Sequence, residues 1–213
     1  MQQPFSFVDH LILNLDRAVT TLWGQPAGTG RANPADSVNS EPLSKAEQKH
    51  NAGLMRVNHA GEVAAQALYQ GQALTARLPE VRAAMEHAAL EENDHLIWCD
   101  QRLQSLHSHR SILNPLWYIG SFTIGAIAGK AGDNWSLGFV GETERQVTRH
   151  LDQHLNTLAG PDNATRAVLE QMKIDEIEHG EQAMAAGGSV LPAPVRQLMR
   201  LTSKIMTRSS YWV

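Results

Sequence analysis

Cysteine is almost absent from this chain of 213 residues, whose single thiol is Cys99. One cysteine excludes an intramolecular disulfide framework and a cysteine-built zinc site, and it agrees with a reducing compartment. Basic residues are also few, since 18 Lys and Arg stand against 22 Asp and Glu. Nucleic-acid binding normally needs a basic face, so this charge balance gives no reason to expect nucleic acid as a partner.

Signals for export and for a dinucleotide cofactor are missing as well. Asp9, His10 and Asp16 interrupt the apolar stretch near the N-terminus, which therefore does not predict a secretory signal. The glycines of GQPAGTG (24–30) lack the spacing of a dinucleotide fingerprint, and no predicted strand precedes them. We therefore expect a protein in the bacterial cytoplasm or on a membrane surface that faces it.

No stretch alternates apolar and polar residues with a sustained period of two, so the pattern predicts an all-α fold. Residues 24–44 are rich in Gly, Pro, Asn and Ser, which predicts a flexible linker. We expect residues 1–48 to form an N-terminal unit and residues 49–213 to form a helical domain. Helices are predicted at about Phe5–Trp23, Ala46–Arg77, Glu80–Leu106, Ser136–Ala159 and Asn163–Ala186, and from Pro194 onward.

The first of these helices is predicted to be amphipathic. Its apolar stripe consists of Phe7, Leu11, Leu15 and Val19.

The motif Glu-x-x-His, which places a carboxylate and an imidazole one turn apart on a helix, occurs three times. Glu92–His95 and Glu176–His179 lie on apolar stripes, where an ionised group must be paired or bind a metal. Glu47–His50 lies among polar residues at a helix start, so we exclude it as a metal-binding pair. A bare Glu-x-x-His is weak evidence, because such pairs also arise by chance.

Two single glutamates complete the pattern. Glu62 precedes Glu92 by thirty residues on an apolar stripe. In the second half, Glu144 lies on a stripe of leucines, whereas Glu142 lies beside Arg145 and is predicted to face water. We choose Glu144, which precedes Glu176 by thirty-two residues. The repeat of a Glu followed by Glu-x-x-His is the ligand set of di-iron and di-manganese carboxylate proteins in four-helix bundles.

Carboxylates next to these motifs are candidates for orienting the imidazoles, because a metal-binding His usually donates its second N–H to a carboxylate or carbonyl. Asp175 and Glu91 each precede a ligand Glu by one residue. We expect Asp175 to reach His95 and Glu91 to reach His179, although a solvent-exposed charge is nearly as good an interpretation of Glu91. His150, six residues after Glu144, either lines a substrate channel or lies on the surface.

Charge is absent from Ser111 to Gly129. About 20 apolar residues span a bilayer, so the length alone suggests a crossing. A single crossing would separate Glu62, Glu92 and His95 from the other three candidate ligands, and Asn114-Pro115 with several glycines interrupts the apolar run. We therefore expect a segment that dips into one leaflet. The alternative is an apolar interface with another subunit.

The motifs together resemble those of the demethoxyubiquinone hydroxylases over roughly residues 49 to 213. The resemblance rests on four stretches: VNHAGEVAAQALYQGQ (57–72), EENDHLIW (91–98), the segment from Glu144 to His154, and DEIEHG (175–180). It implies a ferritin-like fold. It also implies two ferrous ions per chain, with these ligands: Glu62, Glu92, His95, Glu144, Glu176 and His179.

The same resemblance implies an activity and a location. A 2-polyprenyl-3-methyl-6-methoxy-1,4-benzoquinol would receive one oxygen atom of O₂ on its ring, with the other oxygen leaving as water. Because such a quinol stays in the bilayer, we expect a peripheral protein on the cytoplasmic side of the cell membrane. One departure stands out: Leu151 follows His150, where mitochondrial members carry Tyr, so no role of that Tyr transfers to this chain.

Three rival interpretations remain at this level: an iron-storage or ferroxidase protein, a structural helical protein on a membrane surface, and a manganese catalase. The sequence leaves the prenyl chain length, the electron donor and the oligomeric state open. It also leaves open whether the chain joins a complex for ubiquinone biosynthesis.

Overall fold

The computed structural model describes residues 7–39 and 41–213, and within these ranges the chain forms helices and no strand, which confirms the predicted all-α class. Phe5 and Ser6, where the first helix was predicted to begin, lie outside the described residues. A short 3-10 turn lies at Pro34–Ser37. The α-helices are α1 Phe7–Trp23, α2 Lys45–Thr75, α3 Pro79–Ser105, α4 Asn114–Ala131, α5 Asp133–Thr157, α6 Asn163–Ala185 and α7 Ala193–Ser210.

Local sequence signals set most helix ends. Ser44 accepts a hydrogen bond from the backbone N–H of Glu47, whose side chain in turn accepts from the backbone N–H of Ser44, so a capping box begins α2. Pro79 occupies the first turn of α3, where its missing N–H costs nothing. Gly187 follows α6 with a φ of 103°, a conformation that glycine adopts without strain.

The core lies between four helices, α2, α3, α5 and α6. One apolar cluster fills one end of this bundle. Met55 of α2 and Leu151 of α5 meet Trp98 and Leu103 of α3 there, and Met172 of α6 closes the layer. A second apolar cluster around Tyr69 fills the other end. The candidate ligands lie on these same four helices, so the fold is a four-helix bundle of the ferritin-like kind.

The uncharged segment differs from expectation, because it forms one continuous helix, α4, rather than an interrupted one. Asn114 and Pro115 begin the helix. Gly125 and Gly129 bring α4 against α2: a Cβ atom on Gly125 would lie 2.2 Å from the carbonyl oxygen of Leu68. The opposite face exposes large aliphatic side chains, with Ile119 and Ile127 each 65% accessible. Among the described residues, no helix is both long and apolar enough to cross a membrane.

The described residues of α1 and of the segment after it lie against the bundle. Leu22 of α1 packs with Val63 and Tyr118, while Leu15 and Val19 of the predicted stripe are 58% and 55% exposed. The side chains of Phe7 and Leu11 lie outside the described part. Residues 24–44 were predicted as a flexible linker. Within them, Thr29 and Asn33 form hydrogen bonds with α3, and the 3-10 turn contacts α6. The division of the chain at residue 48 stays a prediction.

Candidate metal centre

The structure brings the six candidate ligands into the middle of the bundle. Each comes from one of the four core helices, and none is more than 7% exposed. They are Glu62 on α2, Glu92 and His95 on α3, Glu144 on α5, and Glu176 and His179 on α6.

Three carboxylates surround the Nδ1 atom of His95. The distances from this atom are 2.9 Å to Glu92 Oε2, 3.2 Å to Glu176 Oε1 and 3.6 Å to Glu62 Oε2. Ligand atoms of these four residues all lie within 4.8 Å of one another, close enough to hold one metal ion.

The second imidazole repeats this arrangement. His179 Nδ1 lies 3.2 Å from Glu92 Oε1 and 3.5 Å from Glu176 Oε2, and the two imidazole rings are 6.4 Å apart. Glu92 and Glu176 therefore each direct one oxygen toward His95 and the other toward His179. These two carboxylates therefore connect both imidazoles to one cluster of candidate metal ligands.

Glu144 lies on the inner face of α5, as the helical phase predicts. Its Oε1 accepts a hydrogen bond from the hydroxyl of buried Tyr69, and it shares the interior with Glu176. The Glu142 side chain points away from this cluster and accepts hydrogen bonds from Arg145 and Gln146. The predicted exposure of Glu142 was wrong: its side chain is only 6% accessible, because these two neighbours cover it.

The electrostatics of the cluster favour bound cations. Burial raises the pKa of Glu62 well above its usual range, and the charge of Glu92 adds to the effect. Burial also raises the pKa of Glu144. Burial alone would lower the pKa of His179, but Glu176 and Glu92 raise it to about 12. Like charges in an apolar interior are costly unless a cation balances them.

Three buried polar atoms without a hydrogen-bond partner in the described part of the protein also favour a bound cation. Glu92 Oε1, Glu176 Oε2 and His179 Nδ1 are buried and make no well-directed hydrogen bond within the described chain. Buried polar atoms normally have a partner, so three such atoms facing one point fit a ligand set for metal. Oxygen and imidazole donors without a thiolate suit iron or manganese better than a tetrahedral zinc site. The residues present therefore fit a metal site of the iron or manganese kind.

Outer carboxylates hold the far side of each imidazole, in the pairs that the sequence predicts. His95 Nε2 lies 2.8 Å from Asp175 Oδ2, and His179 Nε2 lies 3.1 Å from Glu91 Oε2. Burial would raise the pKa of Asp175, but His95 holds it below its usual range, so Asp175 accepts as a carboxylate. Both imidazoles consequently donate outward from Nε2 and present Nδ1 to the cluster.

The excluded pair, Glu47–His50, lies elsewhere. Glu47 belongs to the cap of α2. His50 Nδ1 lies 2.7 Å from the hydroxyl of Tyr211, and its Nε2 lies 2.8 Å from the carbonyl oxygen of Thr157. His50 therefore joins α2 to the chain's C-terminal end.

The structure places three further residues that the sequence analysis had not assigned to the cluster or had left open. Tyr69 lies on the stripe of Glu62, two turns later, which was a usable signal for its contact with the cluster. Arg31, in the predicted linker, reaches Asp175 with Nη1 at 2.9 Å, and no local pattern indicated this. His150 has a buried Nε2, and its ring centroid lies 3.9 Å from that of His154, so it is not simply a surface residue. A channel role for His150 stays a prediction.

Comparison with known proteins adds independent information. The profile of the family described as Ubiquinone biosynthesis protein COQ7 matches residues 49–210. The chain is 57% identical over 208 residues to the 3-demethoxyubiquinol 3-hydroxylase of Nitrosococcus oceani, covering 98% of this chain and 97% of that protein. Proteins of the same name from Pseudomonas fluorescens and Ralstonia pickettii are 56% and 54% identical, covering 99% and 96% of this chain and 98% and 99% of theirs. The chain thus belongs to the COQ7 family of ubiquinone biosynthesis proteins.

Proposed function

We propose that this protein is an iron-dependent 3-demethoxyubiquinol 3-hydroxylase with two iron ions per chain. The observation that carries the proposal is the buried set of four Glu and two His with an outer carboxylate behind each imidazole. One oxygen atom of O₂ enters a ring C–H bond of the quinol, and the other leaves as water. That balance needs two further electrons and two protons, which come from the quinol itself or from a donor and water in solution.

The six ligands divide into two roles. Glu92 and Glu176, each with one oxygen near each imidazole, would hold metal in the middle of the cluster, and Glu62 and Glu144 would complete the ligand set from its two sides. Bound iron supplies the activation of O₂. The protein supplies a dry site and fixed ligands. The hydroxyl of Tyr69 holds a proton at Glu144 Oε1, which keeps a donor group beside the cluster.

A cavity of about 270 Å³ between α1, α2 and α3 is where we place the quinol ring. Tyr69, Gln66 and Asn93 line it with polar groups, and Ala73 and Met85 line it with apolar ones. Tyr69 also contacts Glu144, so this one side chain connects the cavity to the cluster.

Ala89→Trp would fill this cavity, since Ala89 also lines it. The substitution should raise KM for the quinol and leave the iron content unchanged. An unchanged KM would place the ring elsewhere.

We also propose that the protein acts at the cytoplasmic surface of the cell membrane, as a peripheral protein. Aliphatic side chains are exposed on α1, α4 and α7, among them Leu15, Ile119, Ile127 and Leu198 at 58–65% of their full accessibility. Apolar patches of this kind mark interaction surfaces. A polyprenyl quinol remains in the bilayer, so an enzyme that acts on it must come to the lipid.

Liposome sedimentation tests the membrane proposal. Ile119→Glu combined with Ile127→Glu should release the protein from liposomes without loss of iron, because two carboxylates on α4 would have to enter the apolar edge of the acyl chains. Val190→Glu, at a site 76% exposed outside the helices, serves as the control and should leave sedimentation unchanged. Unaltered sedimentation of the double variant would make α4 irrelevant to lipid binding.

The activity is tested with purified protein. Metal analysis should find two irons per chain, and a demethoxy-quinol with ¹⁸O₂ and a reductant should gain one labelled oxygen atom by mass spectrometry. Iron uptake with peroxide or ferric product but no labelled quinol would instead favour a ferroxidase. Absence of bound iron would remove the proposed function altogether.

A further inference from the structure

The two halves of the metal centre are alike in sequence, but their outer carboxylates are held differently. Asp175, behind His95, is 10% accessible; it accepts a hydrogen bond from Gln171 at 2.9 Å and forms an ion pair with Arg31 Nη1 at 2.9 Å. Glu91, behind His179, is 29% accessible and has His87 at 3.2 Å, whose side chain is 72% exposed.

Arg31 belongs to a segment, residues 26–38, which we call the strap. Its guanidinium spans two helices, since Nη1 reaches Asp175 of α6 and Nε lies 3.0 Å from Asp94 Oδ2 of α3. A planar fork contacts two carboxylates at once, which a lysine ammonium does not do equally well. Asp94 is 2% accessible and therefore depends on a partner for its charge.

Further contacts fix the strap along α3. The backbone N–H of Thr29 donates to Asp94 Oδ1 at 2.9 Å, and the Thr29 hydroxyl donates to the same carboxylate. Asn93 donates to the carbonyl oxygen of Ala27 at 2.9 Å, and Asn33 donates to Gln101 at 2.6 Å. These bonds explain why a segment with the composition of a linker lies in one place.

The strap also covers the ring that adjoins His95. The guanidinium carbon of Arg31 lies 4.9 Å from the centroid of Trp98, in the range of a cation–π contact. The Trp98 ring lies 5.4 Å from the His95 ring. Arg31 therefore meets His95 by two routes, through Asp175 and through Trp98.

We infer that the strap is part of the metal centre, with Arg31 as a positioning residue that holds Asp175 and, through it, His95. The inference rests on the two-iron site proposed above. The two halves would then be unequal: an iron bound at His95 would have an imidazole oriented by a fixed carboxylate, and an iron bound at His179 would have one oriented by a carboxylate that water reaches. The first should leave more slowly than the second.

Chelator-driven iron release tests this, because it counts metal ions without measuring activity. The wild-type protein should release its two irons in separate phases of equal amplitude. Arg31→Gln should speed the slow phase about 3–10-fold, less than the about 10–100-fold effect of removing an imidazole partner directly. The fast phase should stay unchanged. Arg31→Lys should accelerate the slow phase less than Arg31→Gln does, since a lysine keeps the positive charge but lacks the planar guanidinium.

Two matched variants separate positioning from folding. Thr29→Val loosens the strap at Asp94 but leaves the bond from Arg31 to Asp175, so the slow phase should change little. His87→Gln alters the other half and should affect only the fast phase. In Mössbauer spectra of the ⁵⁷Fe protein, Arg31→Gln should shift one of the two quadrupole doublets, which a general loss of stability would not do.

The outcomes are distinguishable. A wild-type chain that never binds two irons defeats the proposed function, and the strap inference with it. A chain that binds two irons but releases both at the same rate in wild type and in Arg31→Gln defeats the strap inference alone. Equal acceleration of both phases by Arg31→Gln also overturns it, because Arg31 would then act on the fold and not on one half-site.

Discussion

At the scale of single residues, the centre depends on helical phase. Glu142 and Glu144 are two positions apart on α5, and a helix turns by about 200° over two residues, so only one can face the interior. The sequence predicted which one, because leucines share the face of Glu144. It did not predict that Glu142 is also buried, since the covering side chains of Arg145 and Gln146 follow from rotamers and not from pattern.

Replacing Glu144 with Ala should lower the iron content and abolish hydroxylation, because one ligand is lost from the cluster. Glu142→Ala is the matched control and should leave iron at two per chain, since its carboxylate faces Arg145. Metal analysis and the labelled-oxygen assay on both variants decide the matter. The opposite pattern would place the inner face of α5 half a turn away.

Asp175→Asn should retain iron but weaken its binding about 10–100-fold, the usual effect of removing the partner of a ligating imidazole. The amide no longer offers a charged acceptor to His95 Nε2. Competition with a chelator of known affinity measures the change. Unchanged affinity and turnover would make Asp175 a neighbour without influence on the metal.

At the scale of elements, helix ends were predictable and the partners of loops and glycines were not. Ser44, Pro79 and Gly187 act on their own helix, so short-range patterns found them to within a few residues. Arg31 meets Asp94 and Asp175, which lie 63 and 144 positions later. No local pattern carries such a contact, and the composition of residues 24–44 therefore predicted only a linker.

The contact of α4 with α2 gives a prediction of its own. Gly125→Ala should destabilise the protein by about 1–3 kcal/mol, because the new Cβ atom meets the backbone of Leu68 at 2.2 Å and the helices must separate. Gly120→Ala, where nothing lies within 4 Å, should stabilise it by about 0.5–1 kcal/mol. Urea unfolding of both variants measures the difference. Equal changes in unfolding free energy for the two variants would mean that the packing of α4 on α2 does not need glycine at position 125.

At the scale of the whole molecule, buried histidines tie stability to pH. Burial lowers the pKa of His59 to about 4, that of His150 to about 4 and that of His154 to about 2. These groups stay neutral when folded and gain a proton when unfolded, at a pKa of about 6.5. Their contribution is complete above about pH 6.5 and is lost as the pH falls toward the folded values.

For His59 alone, the loss between pH 6.5 and 4 amounts to about 3 kcal/mol. His59→Gln should therefore flatten the dependence of the unfolding free energy on pH by about 1.4 kcal/mol per unit in this range. Unfolding of metal-free wild type and variant at pH 5, 6 and 7 gives both slopes, and the slopes are compared because the substitution also changes absolute stability. Parallel slopes would show that His59 takes up its proton in the folded state.

The glycine contacts between α4 and α2 have a further consequence for the molecule as a whole. Glu62 precedes Leu68 by six residues on α2, which places it about 9 Å along the helix axis from the point where Gly125 touches. Because the backbones meet there, α4 cannot slide along α2 without steric conflict. The distance between the exposed face of α4 and Glu62 is therefore fixed. If α4 enters lipid as proposed above, the depth of its aliphatic face would set the height of the metal centre above the bilayer. The distance from that centre to a quinol ring would then be the same for a short prenyl tail and a long one.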